Sequence, residues 1–162
     1  MEKKYTVREI EKRDDPAVEG VIRACLIEYG GNREGTAWCD PDLCRFSEIY
    51  VGEGNKYWVA EDESGKIVGG AGIGGAGFPK GVCELQKMYC LPEARGTGLG
   101  ARLMQTALDY ARERYDICFL ETLENMTRAQ RFYEKSGFVR TGESVAKTAH
   151  YACGVKYILR FK

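Results

Sequence analysis

Leu91-Pro92-Glu93-Ala94-Arg95-Gly96-Thr97-Gly98-Leu99-Gly100 is the stretch on which the reading of this chain turns. A β-rich run precedes it and an amphipathic run follows, so the segment reads as a strand, a glycine-rich turn and a helix start. Glycine lets a backbone approach an anion closely. The first N–H groups of a helix lack intrahelical partners and sit at the positive end of its dipole. Arg95 adds a cation at the mouth of the turn. A pyrophosphate is the natural occupant of such a cradle.

Working outward, Leu99, Leu103, Met104, Ala107, Leu108 and Ala111 recur at helical spacing and read as core packing. Residues 82–91 form the strand before the turn, and residues 117–120 a short apolar strand after the helix. A helix over 126–136 is stopped by Gly137, and residues 138–141 and 153–161 read as closing strands. Toward the N-terminus, residues 57–61 and 66–73 form a hairpin around Asp62-Glu63-Ser64-Gly65. Residues 5–10 read as a first strand. Asp15-Pro16 and Asp40-Pro41 each signal a helix start, which predicts helices over 15–29 and 40–51. The polar loop 31–39 between them carries Trp38. The order of elements predicts an α/β (α+β) domain, a mixed sheet with helices packed on it.

A length of 162 residues suits one domain with a real core. The formal net charge of zero argues against bulk electrostatic binding to nucleic acid or to an anionic membrane. No apolar run approaches the roughly 20 residues of a membrane span. Met1-Glu2-Lys3-Lys4 leads into a strand-like stretch rather than a signal-peptide core, so a cytoplasmic protein is the expectation. The seven cysteines (25, 39, 44, 83, 90, 118 and 153) are scattered without a CxxC pair and read as thiols rather than a disulfide framework. Cys83 and Cys118 fall in strand-like runs and read as small core residues. With His150 the only histidine, no metal site is expected.

A second glycine run, Gly69-Gly70-Ala71-Gly72-Ile73-Gly74-Gly75-Ala76-Gly77, contains GxGxxG twice. A dinucleotide fingerprint needs a helix behind it, and Phe78-Pro79-Lys80-Gly81 reads as a loop. The run therefore reads as a strand end that must bend or let something pass closely.

Two motifs carry a resemblance to a known family. Arg95-Gly96-Thr97-Gly98-Leu99-Gly100 resembles the acyl-CoA motif [QR]-x-x-G-x-[GA] of the GNAT (Gcn5-related) N-acetyltransferase superfamily, and Ala129-Gln130-Arg131-Phe132-Tyr133-Glu134-Lys135-Ser136-Gly137-Phe138 resembles its A-x-x-[LF]-Y-x-x-x-G-F hallmark. The close resemblance covers about residues 84–138. It implies a mostly antiparallel central sheet, flanked by helices, whose central strands splay apart around acetyl-CoA, with no metal. By the motif match, backbone N–H groups of Arg95, Gly96, Thr97, Gly98, Leu99, Gly100 and Ala101 would hold the pyrophosphate. The main chain of Met88, Tyr89 and Cys90 would bond the pantetheine arm and stabilise the oxyanion of a tetrahedral intermediate.

Transfer to an amine needs a neutral nucleophile and a protonated leaving thiolate. Tyr133 stands where the family places its general acid, and a phenol held close to the sulfur suits that task; the alternative is a ring that packs and binds cofactor. Glu84 is the base candidate, against a plain structural carboxylate. Alternation puts Glu84, Gln86 and Met88 on one face. Many relatives carry Asn in an N-x-x-A pattern where it contacts the cofactor. Here Met126 holds that slot, as in a subgroup with Met there, and Asn125 lies one residue earlier; it is carried over as a cofactor contact. Glu121 reads as an ordinary strand-end carboxylate, with amine binding as the alternative. Cys90 invites an acyl-cysteine mechanism, but direct transfer needs no nucleophile from the protein. His150 reads as a structural or surface residue, and secondarily as a candidate for the acceptor side.

Acceptor choice falls to loops around the cleft: residues 29–38, 74–81 and 143–151. Trp38, Phe78 and Tyr151 are candidates to wall a pocket, and Glu34, Asp40 and Asp42 to draw in an ammonium. The resulting expectation is an N-acetyltransferase acting on a small-molecule amine. A protein lysine or N-terminal amine, and a non-catalytic acyl-CoA-binding sensor, are the alternatives. A homodimer paired through a late-strand edge stays open.

Overall fold

A computed structural model describes residues 2–142 and 148–161 of the chain. Its strands are β1 (Tyr5–Glu9), β2 (Lys56–Asp62), β3 (Ile67–Gly74), β4 (Val82–Cys90), β5 (Ile117–Thr122), β6 (Val139–Thr141) and β7 (Val155–Arg160). They form one seven-stranded sheet in the order β1-β2-β3-β4-β5-β7-β6. Every neighbouring pair is antiparallel except β4 and β5.

The helices are α1 (Asp15–Glu28), α2 (Phe46–Ile49), α3 (Leu99–Arg112) and α4 (Thr127–Lys135). Strand alternation divides the core between them. Tyr57 and Val59 of β2 pack with Val18, Ile22 and Leu26 of α1 and Phe46 of α2. Trp58 and Ala60 face the other way and pack with Leu99, Leu103 and Leu108 of α3. Cys83 and Cys118 are buried, as strand residues of the core.

The helix predicted over 40–51 is a correction. The chain makes a 3-10 turn at Ala37–Cys39 and only the four-residue α2. Arg45 leaves the helical region (φ −146°, ψ 41°), and Asp40, the expected cap, gives its carboxylate to Lys87 and His150. Two separate turns still bury Leu43 and Phe46.

Two features of the sheet create the site. First, β4 and β5 pair only through Val82↔Ile117, Cys83↔Cys118 and Glu84↔Phe119, and beyond Glu84 they splay apart. Second, β4 is bulged. Gly72 pairs with Gln86 and Gly70 with Tyr89, so Ala71 alone faces both Lys87 and Met88. Lys87 takes φ 50°, in the left-handed region. That conformation costs a non-glycine residue about 1 kcal/mol or more, and the Tyr57 hydroxyl supports it by donating to the Lys87 carbonyl at 2.8 Å. An extra residue inverts the alternation that follows it. Glu84 and Gln86 therefore share a face, but Met88 turns to the opposite side, against the α3 cluster, which corrects the expectation that all three lie together.

The second glycine run proves to be a close-approach strand. A Cβ on Gly70 or Gly72 would lie 2.7 Å from the Tyr57 ring, and one on Gly74 would lie 2.5 Å from Gln86.

Candidate active site

The turn after β4 is built by two glycines in the left-handed region, Gly96 (φ 73°) and Gly98 (φ 85°), and α3 starts at Leu99. Thr97 braces it, its Oγ1 donating to the Ala94 carbonyl at 2.6 Å and accepting from the Leu99 amide at 3.4 Å. The Arg95 amide bonds the Pro92 carbonyl, and Arg102 is the first helical amide with a helical acceptor, Gly98 O at 3.2 Å. Among the described residues, the amides of Gly96, Thr97, Gly98, Gly100 and Ala101 have no partner. The open donors of the turn among the described residues are thus these five rather than the whole run. The Leu99 side chain is in the core.

A cleft of about 670 Å³ lies against this turn, lined by Met88, Tyr89 and Cys90 of β4, by Arg95, Gly96, Gly98, Gly100 and Ala101, and by Met126 and α4. The Arg95 side chain is not free at its mouth. Its Nη1 lies 2.6 Å from Glu28 Oε2 and its Nε donates to the Cys90 carbonyl at 2.9 Å. The free cations are on α4. Arg128, Arg131 and Lys135 line the cleft, and none has an ion-pair partner among the described residues. Their spacing of three and four puts them on one helix face, a signal present in the sequence. Asn125 does not line the cleft; its Nδ2 donates to the Tyr29 carbonyl at 2.7 Å, and Met126 lines the cleft instead.

A second cavity of about 60 Å³ opens where β4 and β5 part, lined by Glu84, Gln86, Lys87, Glu121, Thr122, His150 and Cys153 among others. Glu84 is 7 % exposed. Burial pushes its carboxyl up to about 7, against the pull of the Gln86 hydrogen bond and the Lys87 charge. A relay holds it: the Tyr50 hydroxyl donates to Gln86 Oε1 at 2.7 Å, and Gln86 Nε2 donates to Glu84 Oε1 at 2.7 Å.

Met88, Tyr89, Met126 and Tyr133 line both cavities, so the two meet at the tyrosine. Tyr133 is 8 % exposed. Burial, then the nearby Cys90 and Cys153, pushes its phenol well above the usual range, and no described group accepts its proton. Burial likewise pushes the Cys90 thiol up to about 11. The histidine that an acyl-cysteine route needs is occupied elsewhere: His150 Nε2 lies 2.9 Å from Asp40.

The expected acceptor walls do not assemble. Trp38 lies under the Arg23 guanidinium at 4.6 Å, Phe78 packs edge-on to Phe119 at 5.2 Å, and Tyr151 is exposed. Asp42 pairs with Arg45, and Glu34 is exposed. Of that group only Asp40 approaches the cavity, and His150 lines it rather than sitting at the surface. In the loop 143–151, residues 143–147 lie outside the described residues.

The profile of the Acetyltransferase (GNAT) family matches residues 14–138. A relative from Escherichia coli K12, the uncharacterized N-acetyltransferase YjgM, is 38 % identical over 155 residues, covering 94 % of this chain and 92 % of that one. Among solved structures, a GNAT-family acetyltransferase from Staphylococcus aureus Mu50 superposes with a TM-score of 0.85 at 20 % identity, covering 98 % of this chain and all of the other (100 %). The yncA protein of Salmonella typhimurium, a putative acetyltransferase solved with acetyl-CoA, superposes with a TM-score of 0.75 at 20 % identity over 98 % of this chain and 95 % of that one. At that identity the structural likeness shows the fold: a mixed sheet, mostly antiparallel, flanked by helices.

Proposed function

The chain belongs to the acetyltransferase (GNAT) family, and from that premise we propose that it transfers acetyl from acetyl-CoA directly to a primary amine of a small molecule. The observation that carries this reading is the meeting of the two cavities at Tyr133. One offers unpartnered amides and free cations, and the other a buried carboxylate. The fit to acetyl-CoA rests on this chain's own groups. Five amides at a helix start, without a partner among the described residues, suit a pyrophosphate, and Arg128, Arg131 and Lys135 add charge beside them. When bound, acetyl-CoA supplies an activated acyl carbon and a thiolate leaving group.

Glu84, poised near 7, takes the proton from the acceptor ammonium, directly or through one water. Gln86 and Tyr50 fix which carboxylate oxygen faces the cavity. The β4 edge beyond Glu84, unpaired with β5, offers main-chain donors where the acyl oxygen gains charge. Tyr133, kept protonated by burial, gives its proton to the departing sulfur. The sensor alternative is disfavoured by this complete set of proton-handling groups.

The test is calorimetric titration with acetyl-CoA followed by thiol release with a panel of amines. Micromolar binding and amine-dependent release are expected. Binding without release from any amine would leave the sensor reading, and no binding would remove the cofactor assignment.

A further inference from the structure

The cavity beside Glu84 has an unbalanced charge. The one lysine among its described lining residues is taken by a carboxylate: Lys87 Nζ lies 2.6 Å from Asp40 Oδ2, and His150 Nε2 lies 2.9 Å and 3.0 Å from the two oxygens of the same Asp40. Its two acids have only neutral partners among the described residues. Glu84 accepts from the Gln86 amide, and Glu121 accepts from the Thr148 hydroxyl at 2.7 Å. Glu121 is close enough for its charge to push up the Glu84 carboxyl. Asp40 therefore engages the lysine and leaves Glu84 and Glu121 without an ion-pair partner among the described residues. A lining of this kind attracts an ammonium and repels a carboxylate carried beside it.

Resting on the acetyl-transfer reading above, we infer that Glu121 binds the acceptor's ammonium group and that the acceptor is a small primary amine with no carboxylate next to its nitrogen. The work divides between two strands. Glu121, on β5, supplies the ion-pair partner that draws the head group in. Glu84, on β4, receives the proton that must leave nitrogen before it attacks. The narrow volume, about 60 Å³, suits a CH₂–NH₃⁺ head better than an α-carbon that also bears a carboxylate.

Matched pairs that differ by one carboxylate test this: ethylamine with alanine, 2-phenylethylamine with phenylalanine, and 3-methylbutylamine with leucine. Thiol release from acetyl-CoA gives kcat/KM for each, and calorimetry on the CoA-loaded protein gives binding without chemistry. Each amine should exceed its amino acid by about 10-fold or more, the loss expected when a charge meets an unpaired like charge. Glu121→Gln should raise the amine KM by about 10-fold, as loss of one charged hydrogen bond does. It should move kcat far less and leave acetyl-CoA affinity unchanged, a split that general loss of structure would not give. Amino acids used as well as or better than their amines, or an unmoved KM in Glu121→Gln, would overturn the inference. If amines bind the CoA-loaded protein, lose that binding in Glu121→Gln and still release no thiol, the ammonium site stands and the transferase reading falls. No heat with any amine removes the site itself.

Discussion

As the proposed base, Glu84 should link activity and stability through a single titration. Its carboxyl sits at 4.5 when free and about 7 when folded, so the fold prefers the protonated form. That preference contributes its full stability below about pH 4.5 and loses it as pH rises through 7. Glu84→Gln cannot ionise. It should therefore match the parent near pH 4 and exceed it in stability at pH 8 by at most about 3 kcal/mol, the ceiling set by the size of the shift, read by urea unfolding at both pH values. Activity runs the other way. A base must be deprotonated, so parental kcat/KM should rise through about pH 7, and that limb should vanish in Glu84→Gln. An unchanged pH–rate profile would remove the base role. Tyr133 does not titrate in this range. Tyr133→Phe should lower kcat by about 100-fold, as loss of a general acid does, with little change in the KM for acetyl-CoA; near-normal kcat across pH would leave the ring a packing role only. The sequence points to both residues because each lies in or beside a local motif, and both line the cavities. The Asp40, Lys87 and His150 cluster was not legible there, since it joins positions 40, 87 and 150 across three separate segments.

Strands and helices were legible where the hydrophobic period was strong, as in α3, and misread where a local signal met tertiary competition. Asp40-Pro41 has the chemistry of a helix start, yet the Asp40 carboxylate is engaged across the cavity and α2 shrinks to one turn. Alternation along β4 fails at Lys87 because no periodic pattern announces a bulge. The signal lay instead in the neighbouring strand, where glycines at 70, 72 and 74 leave room for Tyr57 and Gln86. This makes β3 a sensitive element. Gly70→Ala would place a Cβ 2.7 Å from the Tyr57 ring and 2.9 Å from the Trp58 carbonyl, and backbone does not yield as a side chain does. The substitution should destabilise by about 2–3 kcal/mol, the upper part of the overpacking range, measured as a lower urea midpoint at constant m. It should also lower amine-dependent kcat/KM, because the same tyrosine holds the Lys87 carbonyl. A Gly70→Ala protein with parental midpoint and activity would show that the bulge needs no glycine support.

At the scale of the molecule, the cleft is the seam of the sheet. The β1–β4 part and the β5–β7 part share one short parallel ladder. Across the opening they are tied by Asn125 to the Tyr29 carbonyl at 2.7 Å, by the Ala152 amide to the Gly35 carbonyl at 2.9 Å, and by His150 to Asp40. A ligand in the cleft touches both parts, with Cys25, Tyr29 and β4 on one side and Met126, Phe132 and α4 on the other. It should stabilise the fold by mass action, about 2.7 kcal/mol at a hundredfold excess over Kd, seen as a Tm that climbs with acetyl-CoA concentration. The two kinds of cation at the cleft should separate in that experiment. Arg128 and Arg131 have no partner to lose among the described residues, so the double charge reversal Arg128→Glu with Arg131→Glu should leave the unliganded Tm near the parental value. It should weaken acetyl-CoA by about 10-fold or more, through loss of two charge-assisted contacts, and flatten the salt dependence of binding. Arg95 is different because its guanidinium already holds Glu28 and the Cys90 carbonyl. Arg95→Ala should lower the unliganded Tm and the affinity together, since the α1 end and the β4 end lose a shared anchor. If the α4 reversals lowered the unliganded Tm as much as Arg95→Ala does, those cations would be structural and the cradle would have to hold its anion through the glycine turn alone.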